Sequence, residues 1–288
     1  MTTALAFALA SVAAASAARA QGMQSMQGAP CVSPAAVTLA DRPGTGRTTS
    51  TGGAPCVVLP GEIVVESGWR RQITDDPSGA ITLGSGPLAL VRVGVVKRLE
   101  IAFAPPAPQS RLATGIAPAG TARGTSDPVV ALKYLVLDRD VTQASVGLAY
   151  APPLGTGGFS NGLPTYALSL NAGTVLSPRV SVATSLVAST AAGADALGAT
   201  RAYFVFAPSV TLAYALDGMD TLLVQDALVS RQGPVLPAGS RAFVAFQRAI
   251  GTRIAVDLDY EQNLTPLLGT RAHALGAGIV WIAAPARR

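Results

Sequence analysis

The chain has 288 residues, of which 49% are hydrophobic and only 13% charged, with a net charge of +5. A soluble domain usually carries about 25% charged residues, so this composition belongs to a chain that meets lipid. Yet beyond roughly the first twenty residues there is no run of about 18 uncharged apolar residues, which excludes a transmembrane helix. The other structure that satisfies every backbone N–H and C=O inside a bilayer is a closed β-barrel.

The opening, MTTALAFALASVAAASAARAQG, reads as a secretory signal over residues 1–20. An Ala-rich apolar core is followed by Ala18-Arg19-Ala20, an A-x-A cleavage pattern before Gln21, although no Lys or Arg precedes the apolar run. Residues 21–60 are rich in Pro, Gly and Ser and read as a periplasmic N-terminal segment. It holds both cysteines of the chain, Cys31 and Cys56. In an oxidising compartment they are expected to form a disulfide that pins this loop, worth about 3 kcal/mol on chain-entropy grounds. Two Cys and one distant His are too few to ligate a metal. No metal or other cofactor is expected.

From residue 61 to 283 alternation of apolar and small or charged residues recurs, and the chain closes on a short tail at 284–288. The period-2 pattern predicts strands near 62–72, 87–97, 99–104, 128–137, 143–151, 164–175, 179–189, 203–215, 220–229, 240–249, 252–261 and 271–282. Most are near the 9–11 residues that cross a bilayer at a tilt. The connections alternate. Tight ones lie around Lys97-Arg98, Asp138-Arg139-Asp140, Ser177-Pro178, Asp217-Gly218 and Ile250-Gly251, while long Gly/Pro/Ser/Thr-rich ones lie at 73–86, 105–127, 152–163, 190–202, 230–239 and 262–270. Short periplasmic turns and longer outer loops are the habit of outer-membrane barrels, and an even strand count returns both ends to the periplasm. A Greek-key sandwich has no reason to keep that order. The expected fold is therefore all-β: an antiparallel up-and-down transmembrane barrel of about twelve strands in the bacterial outer membrane.

The two faces of each strand separate by chemistry. In RIAVDLDYE, Ile254, Val256, Leu258 and Tyr260 lie on one side, and Arg253, Asp257, Asp259 and Glu261 on the other. Ile63, Val65 and Trp69 likewise oppose Glu62, Glu66 and Arg70. Val91 and Val93 oppose Arg92, Ile101 and Phe103 oppose Glu100, and Leu132 and Tyr134 oppose Lys133. A Lys or Arg on the lipid face at mid-bilayer costs roughly 2–4 kcal/mol. The large aliphatics therefore face lipid, and Glu62, Glu66, Arg70, Arg92, Glu100, Lys133, Arg241, Arg253, Asp257, Asp259 and Glu261 are expected to line a wet lumen. Asp226 alone disturbs its strand's pattern. The lumen charges have two readings: mutual salt bridges that hold the interior together, or a charged constriction that selects solutes.

Enzyme chemistry finds no support. The single His273 opens the last strand with no Ser in a nucleophile-elbow context. The paired carboxylates lie two apart on strands amid Arg and Lys, which suits ion pairing better than a division into acid and base. GTGGFSNG is followed by no helix and is no phosphate cradle. The basic residues are scattered on an exported chain, so no nucleic-acid partner is expected.

Four stretches together carry a resemblance: DRPG at 41–44 with LPGEIVVESGW at 59–69, LVRVGVVKRLEIAF at 90–103, GTSDPVVALKYLVLDRD at 124–140, and APPLGTGGFSNG at 151–162. The set resembles the outer-membrane transporters called the MetA-pathway of phenol degradation family, well over residues 41–165 and only as barrel pattern beyond. Ser126 stands where that family has a second Gly, Leu154 where it has Thr, and the chain lacks the terminal aromatic that barrel-assembly machinery usually reads. The resemblance implies a porin-like transporter of small, hydrophobic or aromatic solutes with no catalytic residues; its partners would be outer-membrane lipids, the assembly machinery and a small organic solute. The alternative is a non-conducting structural or surface-interaction barrel, with a lipid-modifying barrel enzyme a weaker third.

Overall fold

The computed structural model describes residues 55–284 except 77–78, 116–118, 140–141, 178, 195–198, 218, 232–237, 252 and 266–270. The expected signal peptide, Cys31 and residues 285–288 of the expected tail lie outside the described residues. The described chain is fourteen strands in one antiparallel sheet: β1 (Ile63–Asp76), β2 (Gly79–Val96), β3 (Leu99–Ala104), β4 (Pro108–Thr114), β5 (Gly120–Thr125), β6 (Val129–Arg139), β7 (Thr142–Ala151), β8 (Thr165–Ser177), β9 (Val180–Ala194), β10 (Thr200–Ala215), β11 (Asp220–Val229), β12 (Gly239–Ile250), β13 (Ile254–Asn263) and β14 (Arg271–Ala284).

β1 bonds to both β2 and β14, so the sheet closes on itself and leaves the barrel wall without an edge. Twelve strands run round the wall in the order β1-β14-β13-β12-β11-β10-β9-β8-β7-β6-β3-β2, while β4 and β5 branch from the outer part of β2. The barrel is as the alternation predicts; three of the expected loops are not, and in 190–202 β9 runs on to Ala194 and β10 begins at Thr200. Residues 105–127 contain the β4–β5 hairpin, and 73–86 is almost wholly strand, with β1 and β2 paired from Asp76↔Gly79 downward. Above the membrane a strand needs no apolar face, so ITDD and GAITLGSG carry no alternation by which to recognise them.

Inside the wall the period-2 rule governs side-chain direction. On β6 the burial alternates residue by residue, with Ala131, Lys133 and Leu135 buried and Val130, Leu132, Tyr134 and Val136 exposed. Leu148, Tyr166, Leu168, Phe204, Leu212, Val244, Phe246, Leu258 and Trp281 continue the exposed apolar surface around the barrel. A contiguous apolar face of this extent is stable only against hydrocarbon. Tyr150 and Tyr166 pair with ring centroids 5.1 Å apart at the outer ends of β7 and β8, where an amphipathic ring suits the headgroup level. Asp226 faces outward, exposed, three residues from the outer end of β11.

Candidate functional site: the barrel interior

We take the barrel end that bears the tight turns, Ile63 and Ala284 as the periplasmic end. From the outer end inward the interior changes character in layers. On one side, along β2, β3 and β6–β10, the outer part is mostly apolar: Leu90, Ala102, Ala104, Ala131, Ala149, Ala167, Val187, Val205 and Ala207 form one buried cluster, with Tyr203 and Val229 packed against it. Deeper on β7, β8 and β9 the wall turns polar and neutral. The Ser185 hydroxyl donates to Asn171 Oδ1 at 2.7 Å, and Asn171 Nδ2 reaches Ser169 at 3.3 Å and Ser145 at 3.4 Å.

The charged layer lies opposite. Arg92 forks onto Glu100, Nε to Oε1 at 2.7 Å and Nη2 to Oε2 at 2.9 Å, and its Nη1 reaches Glu66 at 3.2 Å. Lys133 is the cross-strand partner of Glu100. None of these four residues exceeds 2% exposure. On the next part of the wall Glu261 bridges Arg70 at 3.2 Å and Arg241 at 3.4 Å. Asp257 and Asp259 lie below it on the same face of β13, Asp259 pressed over Gly276 of β14. Among the described residues, inward carboxylates (Glu62, Glu66, Glu100, Asp257, Asp259, Glu261) outnumber inward cations (Arg70, Arg92, Lys133, Arg241) by six to four, although the whole chain carries +5.

Nine of the eleven residues predicted to face inward are buried inside the barrel. Arg241 also points in but sits near the outer mouth, its side chain 34% exposed. Arg253 does not join them. It belongs to the turn before β13, which begins at Ile254, and it is exposed; alternation was extended one residue past the strand's end. The neutral layer is not legible from alternation because Ser, Ala and Asn carry little contrast; of its members only Ser169 and Asn171 share a strand, two residues apart.

A further component lies across the periplasmic end. At Gly61, whose φ of +77° suits a residue without Cβ, the chain preceding β1 turns back into the barrel. Val58 is fully buried among Val64, Ala255, Val280 and Ile282, all of which face inward. Its backbone N–H donates to Glu100 Oε2 at 2.9 Å. Leu59 runs so close to Gly94 that any Cβ there would overlap the Leu59 carbonyl, and Pro60 bridges to the same glycine. At the segment's other end Pro55 meets Gly173 of β8, where an added Cβ would lie 2.9 Å from the proline ring. β8 is five strands from β1 around the shorter arc of the twelve-stranded ring. Residues 55–60 therefore cross the interior from one wall to nearly the opposite one. The apolar run CVVLP at 56–60 is the trace of this in an otherwise polar leader.

The outer rim is tied by one carboxylate. Asp127 Oδ1 accepts the Gly155 N–H at 2.7 Å and Oδ2 the Asn161 N–H at 2.8 Å. Gly124 and Gly157 let the two backbones touch, and Thr125 bridges to Thr156. GTSD and APPLGTGGFSNG are thus two halves of one clasp between β5 and the β7–β8 loop.

No family model matches the chain, and no curated protein matches it. Among solved structures it is similar to an outer membrane channel from Pseudomonas putida F1, with 12% identity, 78% of this chain and 97% of that chain covered, and a TM-score of 0.66. It is also similar to the NanC porin, with 12% identity, 75% and 98% coverage and a TM-score of 0.50. The fold is that of bacterial outer-membrane barrels. At such identities the likeness is one of architecture, and the chemistry of the interior is this chain's own.

Proposed function

We propose that the chain is an outer-membrane channel for small organic solutes with hydrophobic or aromatic character. The observation that carries this reading is the apolar stripe along the outer part of the interior on β2, β3 and β6–β10. A barrel filled only for stability would gain most from bulky aliphatics throughout. Here the lining on one side is mainly Ala and Val, small apolar groups, and it leads to hydroxyl, amide and charged groups. Such a series suits a solute that enters by its apolar body and is discriminated by its polar groups. In this reading Glu62, Glu66, Arg70, Arg92, Glu100, Lys133, Arg241, Asp257, Asp259 and Glu261 line the route.

The resemblance to the MetA-pathway of phenol degradation family supports the same reading. Its resemblance falls on the β2–β3 hairpin that carries Arg92 and Glu100 and on the two halves of the Asp127 clasp. We also propose that residues 1–20 are removed on export and that Cys31 and Cys56 pair, tethering the leader where it enters the barrel. Lipids of the outer membrane and its assembly machinery are the partners this requires. The chain performs no chemistry on its solute.

A second reading, a non-conducting structural barrel, is favoured by the near-complete burial of the Arg92 network. Solute flux separates the two. Purified protein is refolded, checked for heat-modifiable migration, and placed in liposomes. Swelling that is faster with small aromatic solutes than with sugars of equal size supports the channel. Equal rates for all solutes would defeat the solute class, and no flux under any condition would favour the structural barrel.

A further inference from the structure

The segment across the periplasmic end has the features of a removable part. It is continuous with the wall only through Gly61, and Pro60 precedes that joint. Its hydrogen bonds into the barrel are made largely by backbone groups, Val58 N–H to Glu100, Leu59 N–H to Glu62 and Gly61 N–H to the Gly94 carbonyl. Two wall glycines, Gly94 of β2 and Gly173 of β8, four strands apart around the ring, are hollowed where the segment touches. The barrel closes through β1 and β14 without any contribution from residues 55–60. A strand-sheet barrel that needed this segment for closure would pair it along its length; here it bridges at one residue.

We propose that residues 55–60 are a built-in gate, seated across the periplasmic mouth and swung out about Gly61 to open the route. This rests on the channel reading and specifies what closes it. Glu100 has a double part. It is held by Arg92 in either state, while its Oε2 additionally receives the Val58 N–H when the gate is seated. The sealed state is completed by Val58 in its inward apolar niche. Swinging the segment out exposes that niche and releases one carboxylate lone pair to the lumen, so the opened route is more acidic at its inner end than the closed one.

The test uses the full mature chain in planar bilayers, with heat-modifiable migration as the check on folding. Gly94→Leu and Gly173→Leu each fill one of the hollows, on separate strands of the wall, without altering the segment. Each is expected to raise the open probability by about tenfold or more, the scale of a modest population shift. Leu154→Ser, on an exposed outer loop, is expected to behave as the wild type. In a Cys31→Ser, Cys56→Ser background, the pair Pro55→Cys and Gly173→Cys tethers the segment to β8: openings should vanish on oxidation and return on reduction. Steady wild-type conductance that neither the fillers nor the tether changes would overturn the gate and leave the channel standing. Silence from the wild type, the folded variants and a chain lacking residues 21–58 would overturn the gate by removing any route for it to close, and would take the channel with it.

Discussion

Arg92 is the residue on which most of the interior chemistry converges. Its guanidinium serves Glu100 through two nitrogens and Glu66 through the third. Ion pairs buried this deeply gain little over apolar packing, but removing one partner strands the others. Arg92→Gln leaves two buried carboxylates facing each other, so we expect a loss of about 3–5 kcal/mol, read as a lower midpoint in urea unfolding of the refolded barrel. Asp127 is a smaller case outside the lipid. Asp127→Ala removes the acceptor of two backbone N–H groups, about 1–3 kcal/mol of local stability. The expected readout is protease cleavage within 152–163 while the barrel keeps its heat-modifiable migration.

Asp217 caps the tight turn between β10 and β11. The N–H groups of Met219 and Asp220 both donate to its Oδ1 at 2.7 Å and hold its carboxyl below the usual aspartate range. A carboxylate depressed in the folded state stabilises that state at pH values above its unfolded pKa, and the contribution is lost as pH falls through the folded one. The Met219 and Asp220 amide resonances should therefore hold steady through the ordinary aspartate range and move only at lower pH. Movement at the ordinary value would mean the turn bonds are not made in solution.

At the scale of the element, β13 shows how far alternation carries. Asp257, Asp259 and Glu261 point inward and Leu258 and Tyr260 outward, as the period-2 pattern dictates. Leu258→Arg places a charge on the lipid face and should cost about 2–4 kcal/mol, whereas Leu258→Val should be nearly silent; urea unfolding in lipid vesicles distinguishes them. The same rule explains the failures. Arg253 matches the inward parity of β13 but not its extent, because no residue in GTRI marks where the ladder begins. The β4–β5 hairpin went unread because PQSRLAT and GTARGT stand outside the membrane, and what holds them is pairing to β2 rather than a buried face. Strand pairing of that kind is set by a partner distant in sequence, and leaves no local pattern.

For the molecule as a whole, the balance of charge inside the barrel differs in sign from that of the chain. Among the described residues, six inward carboxylates face four inward cations. A route lined this way should prefer cations despite the net charge of +5. In a salt gradient across a planar bilayer, the reversal potential is expected to take the cation sign and to shrink in Asp257→Asn with Asp259→Asn. An anion-selective wild type would show that the inward carboxylates are neutralised by their neighbours.

Alternation along each strand determined which side chains meet lipid, because side-chain direction follows from backbone pleat alone and hydrocarbon penalises a misplaced charge at once. Composition and turn spacing determined that the strands close into a barrel rather than stack as a sandwich. Only the tertiary structure decided which charges face one another, because Arg92 meets Glu66 and Glu100 through the registers of β1, β2 and β3. It alone also decided that Cys56-Val57-Val58-Leu59 turns inward at Gly61 to lie between Gly94 and Gly173. The niche that receives Val58 is built from β1, β13 and β14, brought together only when the first and last strands pair.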